Sequence, residues 1–236
     1  MDSQRKEMVG ELMRRNGLAA LLFWRPDELV MMLGYMPLWG VSVLLYPADG
    51  EAVLFVPELE PEDILPKGVI VKRYPWGVPD GNDPWEVLYS AIKKELFKRG
   101  LADGAVSFTK SIGGSAPCRM SGEQPPLPGD LVQRLEGVCA GGWRETDGEL
   151  LRLYDQKTPT DIAGLEKTHR VAARAVEVFY REVGGGHTEA MLAAMIEMAV
   201  QETNGRGESA LLRRGQWCNP VRIPRMQAGS TEAPVR

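Results

Sequence analysis

Two histidines, three cysteines and a few late glutamates are the residues of this chain with the chemistry to bind a metal or attack a bond. Paired divalent ions need several carboxylates to offset their charge and a neutral imidazole to complete the shell. Beyond Asp161 the chain has no aspartate, and beyond His187 no histidine. The carboxylates that remain after His187 are Glu189, Glu197, Glu202, Glu208 and Glu232, and the first three fall in a helical pattern. A cysteine nucleophile needs a base within reach to make a thiolate. Cys118, Cys139 and Cys218 are widely spaced, form no Cys-x-x-Cys, and nothing pairs them with a histidine. The expectation is a chain with no catalytic residue, metal ligand or cofactor of its own.

Three other stretches could carry a binding function. His169 lies on the apolar stripe of a long helix, where a histidine reads as a satisfied core or interface residue. Tyr35-Met36-Pro37-Leu38-Trp39 is an apolar, aromatic segment after a short helix. It suits an interface, but aromatic rings that simply cover the sheet are the commoner reading of such a segment. Tyr35, Trp39 and His169 are therefore the candidate substrate or interface residues. Ser111-Ile112-Gly113-Gly114-Ser115 follows a strand pattern, as a phosphate-cradling loop would, but it lacks the glycine spacing of that motif and Pro117 stands where a helix should start. A nucleotide- or small-molecule-binding α/β domain is the alternative reading.

The elements that must position these residues alternate between helix and strand. Met8, Val9, Leu12 and Met13 predict a helix ending near Gly17, followed by a buried-type strand over 18–23. Pro26, Asp27 and Glu28 open a short helix closed by Gly34. Residues 41–46 and 52–56 predict a hairpin around Asp49-Gly50, because the turn needs residues that accept positive φ. An acidic helix over 58–64 and a parallel-type strand over 69–74 follow. Asp83-Pro84-Trp85-Glu86 reads as a capping box for a helix with Leu88, Ile92 and Leu96 inward. A strand over 105–108, a breaker-rich loop over 113–129, a helix around Leu131 to Val138 and a short strand at Trp143 complete a mixed α/β domain.

The most legible stretch runs from Leu151 to Thr203. Thr158 is an N-cap, Pro159 stands at the first helical position, and Asp161 completes a Thr-x-x-Asp capping box. Ile162, Leu165, His169, Ala172, Val176, Phe179 and Val183 then form one stripe, stopped by Gly184-Gly185-Gly186. Thr188 caps a second helix with Leu192, Met195, Ile196 and Ala199 on its apolar face.

Lys157-Thr158-Pro159 with Asp161-Ile162, the long helix, and then Gly186-His187-Thr188-Glu189 resemble the start of the catalytic domain of the Xaa-Pro aminopeptidase, prolidase and creatinase family. The order of elements before it resembles that family's N-terminal domain. The resemblance implies an α/β, mixed-sheet N-terminal domain over 1–155. Over 156–215 it implies the first helices of an incomplete pita-bread (α+β) domain, and 216–236 is expected to be a mobile tail. Complete relatives break a C–N bond with two divalent ions held by two Asp, one His and two Glu. Those ligands are expected after the point where this sequence ends. The resemblance thus implies a non-catalytic fragment with an oligomerisation or pocket-covering role. It would act as a homodimer or with a chain supplying the missing catalytic domain.

Composition excludes other classes. At 236 residues, with a net charge of −4 and no basic run, nucleic acid is not an expected partner. No apolar run approaches the ~20 residues that cross a bilayer. No signal-type segment opens the chain, and the cysteine usage fits reduced thiols, so the expected compartment is the cytoplasm.

Overall fold

The computed structural model describes residues 2–76, 83–110 and 128–205, with residues 204 and 205 described by backbone alone. The chain divides into two compact units, Met1–Leu165 and Glu166–Arg236.

The first unit is built on a five-stranded sheet, β1 (Leu18–Phe23), β2 (Val43–Pro47), β3 (Val53–Pro57), β4 (Ile70–Tyr74) and β5 (Ala105–Phe108). Its order is β4-β3-β2-β1-β5. β2 pairs antiparallel with both β1 and β3, whereas β3–β4 and β1–β5 are parallel. The Asp49-Gly50 hairpin forms as the residues predict: Leu44 faces Leu54, Leu45 faces Val53, and Gly50 has φ +94°.

Both faces of the sheet are covered at β1, β2 and β3, which is why those strands read as continuous apolar runs, whereas the edge strand β4 is only partly buried. Ala20, Leu22, Val43, Leu45, Val53, Phe55, Val106 and Phe108 pack toward α3 (Pro84–Lys98) and α4 (Gly129–Glu136), where Leu88, Ile92, Leu96, Leu131 and Leu135 are buried. Leu21, Phe23, Leu44, Leu54 and Val56 pack on the other side. There they meet Val9, Leu12 and Met13 of α1 (Ser3–Asn16), Leu29 and Met32 of α2 (Pro26–Leu33), and Leu150 and Leu153 of α5 (Asp147–Asp155). Side chains of this size, fully buried, stabilise by about 1.5–3 kcal/mol each.

Three local expectations are corrected, and one further element is found. Residues 58–64 form only a 3₁₀ turn over Glu62–Ile64, because the Glu60 carboxylate is turned inward, as described below. Asp83 caps α3 through the Trp85 N–H at 3.0 Å, but Glu86 does not close a box; it pairs with Arg134 instead. Trp143 makes an isolated bridge to Val106 rather than a strand. Helix α5, absent from the sequence reading, starts after buried Thr146, whose Oγ1 bonds Ser107 Oγ at 2.7 Å.

Buried Arg5 ties the start of α6 (Pro159–Glu182) to the first unit. It donates to the carbonyls of Leu153 and Gln156 and to Asp161 Oδ2, the last at 2.6 Å. Asp161 closes the expected capping box, accepting from Thr158 N at 2.8 Å, while Asp161 N donates to Thr158 Oγ1 at 3.3 Å. Burial would raise this carboxyl, but the Thr158 N–H and the Arg5 guanidinium hold it below its ordinary value.

In the second unit, α7 (Glu189–Gly205) follows Gly184–Gly186, with Thr188 Oγ1 accepting from Met191 N. The buried face of α6 is Val171 and Val178, seven residues apart, and that of α7 is Leu192 and Ala199. The stripe expected to pack is therefore mostly bare: Ile162, Leu165, His169, Ala172, Val176 and Val183 are exposed, and Phe179 is half-buried. Of the loop expected over 113–129, residues 113–127 lie outside the described residues, and Gly129 already begins α4; the tail at 216–236 also lies outside them.

Candidate functional site: an anchored aromatic loop

Helix α2 ends at Gly34 in the left-handed conformation, φ +65°, and the chain turns Tyr35 into the core. The Tyr35 hydroxyl donates to Glu60 Oε1 at 2.6 Å and lies 3.1 Å from Ser42 Oγ. Glu60 is buried as well, and it accepts two backbone N–H groups of the same loop: Leu38 N at 2.9 Å on Oε1 and Trp39 N at 3.0 Å on Oε2. Three donors on one carboxylate are what makes burial of the charge tolerable. Burial and the neighbouring Glu60 together push the Tyr35 phenol well above its ordinary range, so it stays a donor.

The turn that carries Glu60 is itself held from outside. Arg73 on β4 donates to the carbonyls of Glu58 and Glu60, at 3.0 and 2.7 Å, and to Glu62 Oε2 at 2.6 Å. At the far end of the loop Gly40 has φ +52°, and a Cβ there would lie 2.5 Å from the Trp76 ring. Trp76 sits edge-to-face between Tyr74 and Trp85, with centroids 6.1 and 5.4 Å away. Only glycine fits that position.

The anchored loop presents Trp39 to solvent, 53% exposed. Leu59, on the turn that carries Glu60, is also exposed. The two aromatic residues of the segment thus divide the roles read from the sequence: Tyr35 covers the sheet, and Trp39 does not. A rigid exposed tryptophan suits a contact residue, because binding through it costs little conformational entropy. The loop brings no acid, base or nucleophile to its surface other than what Glu60 buries.

His169 is exposed on α6, which rules out the core alternative for it. His187 is half-buried beside the second cap, with Nε2 3.4 Å from Glu182 Oε2. Cys139 is a free thiol, buried near the Leu101 carbonyl, and burial pushes its pKa up. Cys118, Cys218 and the Ser111–Ser115 loop lie outside the described residues. Among the described residues no three His, Cys, Asp or Glu side chains stand together as a metal would require. None of their helices is long and apolar enough to cross a membrane.

Sequence reasoning missed Glu60, Ser42 and Arg73. A glutamate set between Pro57 and Pro61 is poorly placed for a helix, and that was the available signal.

No family model matches the sequence, and no curated protein matches it. Solved structures do. Prolidase from Pyrococcus horikoshii superposes with a TM-score of 0.56 at 18% identity, covering 85% of this chain and 49% of that one. Prolidase from Pyrococcus furiosus gives 0.52 at 20% identity, covering 82% and 48%. A Xaa-Pro dipeptidase from Bacillus anthracis gives 0.56 at 12% identity, covering 84% and 48%. At these identities the likeness is one of fold. The chain has the architecture of a prolidase over about half that enzyme's length: an α/β unit with a five-stranded mixed sheet, followed by helices.

Proposed function

We propose that this chain is a non-catalytic assembly module of the prolidase type, which associates through the bare face of α6 and α7 and presents the Trp39 loop to its partner. The observation that carries this reading is the exposure of large apolar side chains on two regular helices. Val176 and Tyr180 on α6, Val183 directly after it, and Met191 and Met198 on α7 are all about half exposed or more. Each such side chain gains about 1.5–3 kcal/mol on full burial, so a face carrying several of them favours a partner over water. His169 lies on the same stripe as Val176, seven residues away, and takes an interface role in this reading. The partner is a second copy of this chain or a chain that carries a catalytic half.

The solved prolidases are the source of the activity with which the partner is associated; for this chain by itself we propose no C–N bond hydrolysis. Activation of water at neutral pH calls for a metal-bound site or a placed base. Beyond His187 the carboxylates of this chain are all glutamates, and no further histidine stands with them.

Sedimentation velocity over a range of concentrations tests the assembly, with a dimer expected. A monomer at high concentration whose α6 and α7 amides are fully protected from hydrogen exchange would overturn it. A separate assay adds Mn²⁺, Zn²⁺ or Co²⁺ and a Xaa-Pro dipeptide to the purified chain. Stoichiometric uptake of two ions, with turnover abolished by a chelator, would refute the non-catalytic reading.

A further inference from the structure

Glu28 is fully buried in the first unit, and it is not part of the Trp39 loop. It stands in the first turn of α2, directly after β1, and its two oxygens have different tasks. Oε2 accepts from the backbone N–H groups of Trp24 and Arg25, both at 3.0 Å, which caps the helix. Oε1 accepts from Thr109 Oγ1 at 2.6 Å, beyond the end of β5. Because β1 and β5 are adjacent and parallel, this one carboxylate joins the carboxyl ends of both strands. The Trp24 indole closes the same junction, donating from Nε1 to the Thr109 carbonyl at 2.6 Å. From the third side, α5 brings up Tyr154; burial and the Glu28 carboxylate beside it push its phenol well above the ordinary range, though no hydrogen bond of normal geometry joins the two.

We propose that Glu28 is a proton-operated clamp, in which gain or loss of one proton rewires the contact between the end of β5 and α5 while the cap on α2 stays closed. The geometry separates the two functions. In either charge state Oε2 can accept the Trp24 and Arg25 N–H groups. On Oε1 the states differ. The carboxylate accepts the Thr109 hydroxyl; the neutral acid carries a proton that must itself be donated, and the Thr109 and Tyr154 hydroxyl oxygens are the acceptors at hand. A proton there is donated either to the Thr109 oxygen, reversing that bond, or to the Tyr154 oxygen, which has no hydrogen bond of normal geometry.

The surrounding charges favour a change of state near neutrality. Burial pushes Glu28 up to about 7, against the lowering effect of its three donors, and Asp27 pushes in the same direction as burial. Arg25 is engaged bidentately by Asp27, at 3.0 and 2.7 Å. From α5, Asp147 is also raised by burial, with Glu145 adding to the effect and Lys110 and Arg25 opposing it. Lys110, next to Thr109, is ion-paired with Glu136 of α4 and lies over the Trp143 ring.

The Trp24 indole N–H reports the junction by nuclear magnetic resonance, assigned with Trp24→Phe, between about pH 5 and pH 9. The wild-type resonance is expected to shift with a single midpoint within about one unit of 7. In Glu28→Gln, whose amide can donate as the neutral acid does, it should stay at the acid-side position across the range. The Glu28 Cδ resonance of the wild-type chain gives the same midpoint without any substitution, should a variant not fold. A Cδ midpoint below about 5 would overturn the proposal, as would a Trp24 signal that does not move or a transition that survives in Glu28→Gln.

Discussion

A carboxylate buried by folding makes stability depend on pH in a direction fixed by its shift. Glu28 rises from 4.5 to about 7, so between those values the folded chain holds a proton that the unfolded chain has lost. Stability from this group is therefore fully present below about pH 4.5, declines as pH rises through 7, and is level above. The total change is on the order of 3 kcal/mol, read from urea unfolding between pH 5 and 8. Glu28→Gln should flatten that slope. Glu60 makes a different prediction, because two of its three donors are backbone N–H groups of the loop it anchors, Leu38 and Trp39. Glu60→Gln sets an amide N–H₂ against one of them and should cost about 1–3 kcal/mol. Hydrogen exchange at Leu38 and Trp39 should speed up at least about tenfold, matching the loss of roughly 1.4 kcal/mol of local protection. Unchanged exchange at both amides would mean that Glu60 does not anchor the loop.

At the scale of elements, the junction at residues 156–161 depends on α1. Arg5 satisfies the Leu153 and Gln156 carbonyls at the end of α5 and pairs with the residue that caps α6. Asp2, which caps α1 through Arg5 N at 3.0 Å, also accepts from Thr160 Oγ1 at 2.5 Å. Arg5→Met keeps the apolar stem and removes all three donated bonds, leaving Asp161 without its cation. The expected cost is about 3 kcal/mol. A double-mutant cycle with Asp161→Asn should show coupling of 0.5 kcal/mol or more on the scale usual for touching charged residues, about 0.5–3 kcal/mol. Additive effects would mean that the two residues act separately. Faster exchange confined to the first turn of α6 would place the loss at this junction rather than in the sheet.

At the scale of the whole molecule, the bare helical face is the feature with the largest expected consequence. Val176→Glu or Tyr180→Glu puts a charge where the proposed interface would be dry, and neither side chain is buried in the chain by itself. Each should weaken self-association at least about tenfold, some 1.4 kcal/mol, with circular dichroism and thermal midpoint nearly unchanged. Val178→Glu is the contrasting case: Val178 is 2% exposed, so this change should unfold the helix pair, with helicity lost alongside association. Equal association by all three variants would remove the helical face from consideration and leave the Trp39 loop to be tested through Trp39→Ala.

Much of this was present in the order of residues, because it depends on neighbours. The 18–23 strand, the Asp49-Gly50 turn, the Thr158–Asp161 box and the Thr188 cap are each specified within a few positions, by apolar run, by tolerance of positive φ or by a side chain that reaches its own backbone. Periodicity also located α6, but it marked Ile162, Leu165 and Val176 as the packed face, when the stripe of Val171 and Val178 is the one that folding covers. An amphipathic pattern states that a face is apolar, not which element arrives to cover it. The nine-residue α5 escaped notice because so short a helix, with Gly148 in its first turn, is held by contacts of Leu150 and Leu153 with α1 and the sheet more than by its own propensity. The placement of β5 beside β1, the turning inward of Glu60 toward a loop some twenty residues earlier, and the meeting of Glu28 with Thr109 across 81 positions were decided by tertiary structure alone. Hydrogen-bond donors distant in the chain leave no periodic trace in it, so a buried carboxylate and a solvated one are written with the same letter.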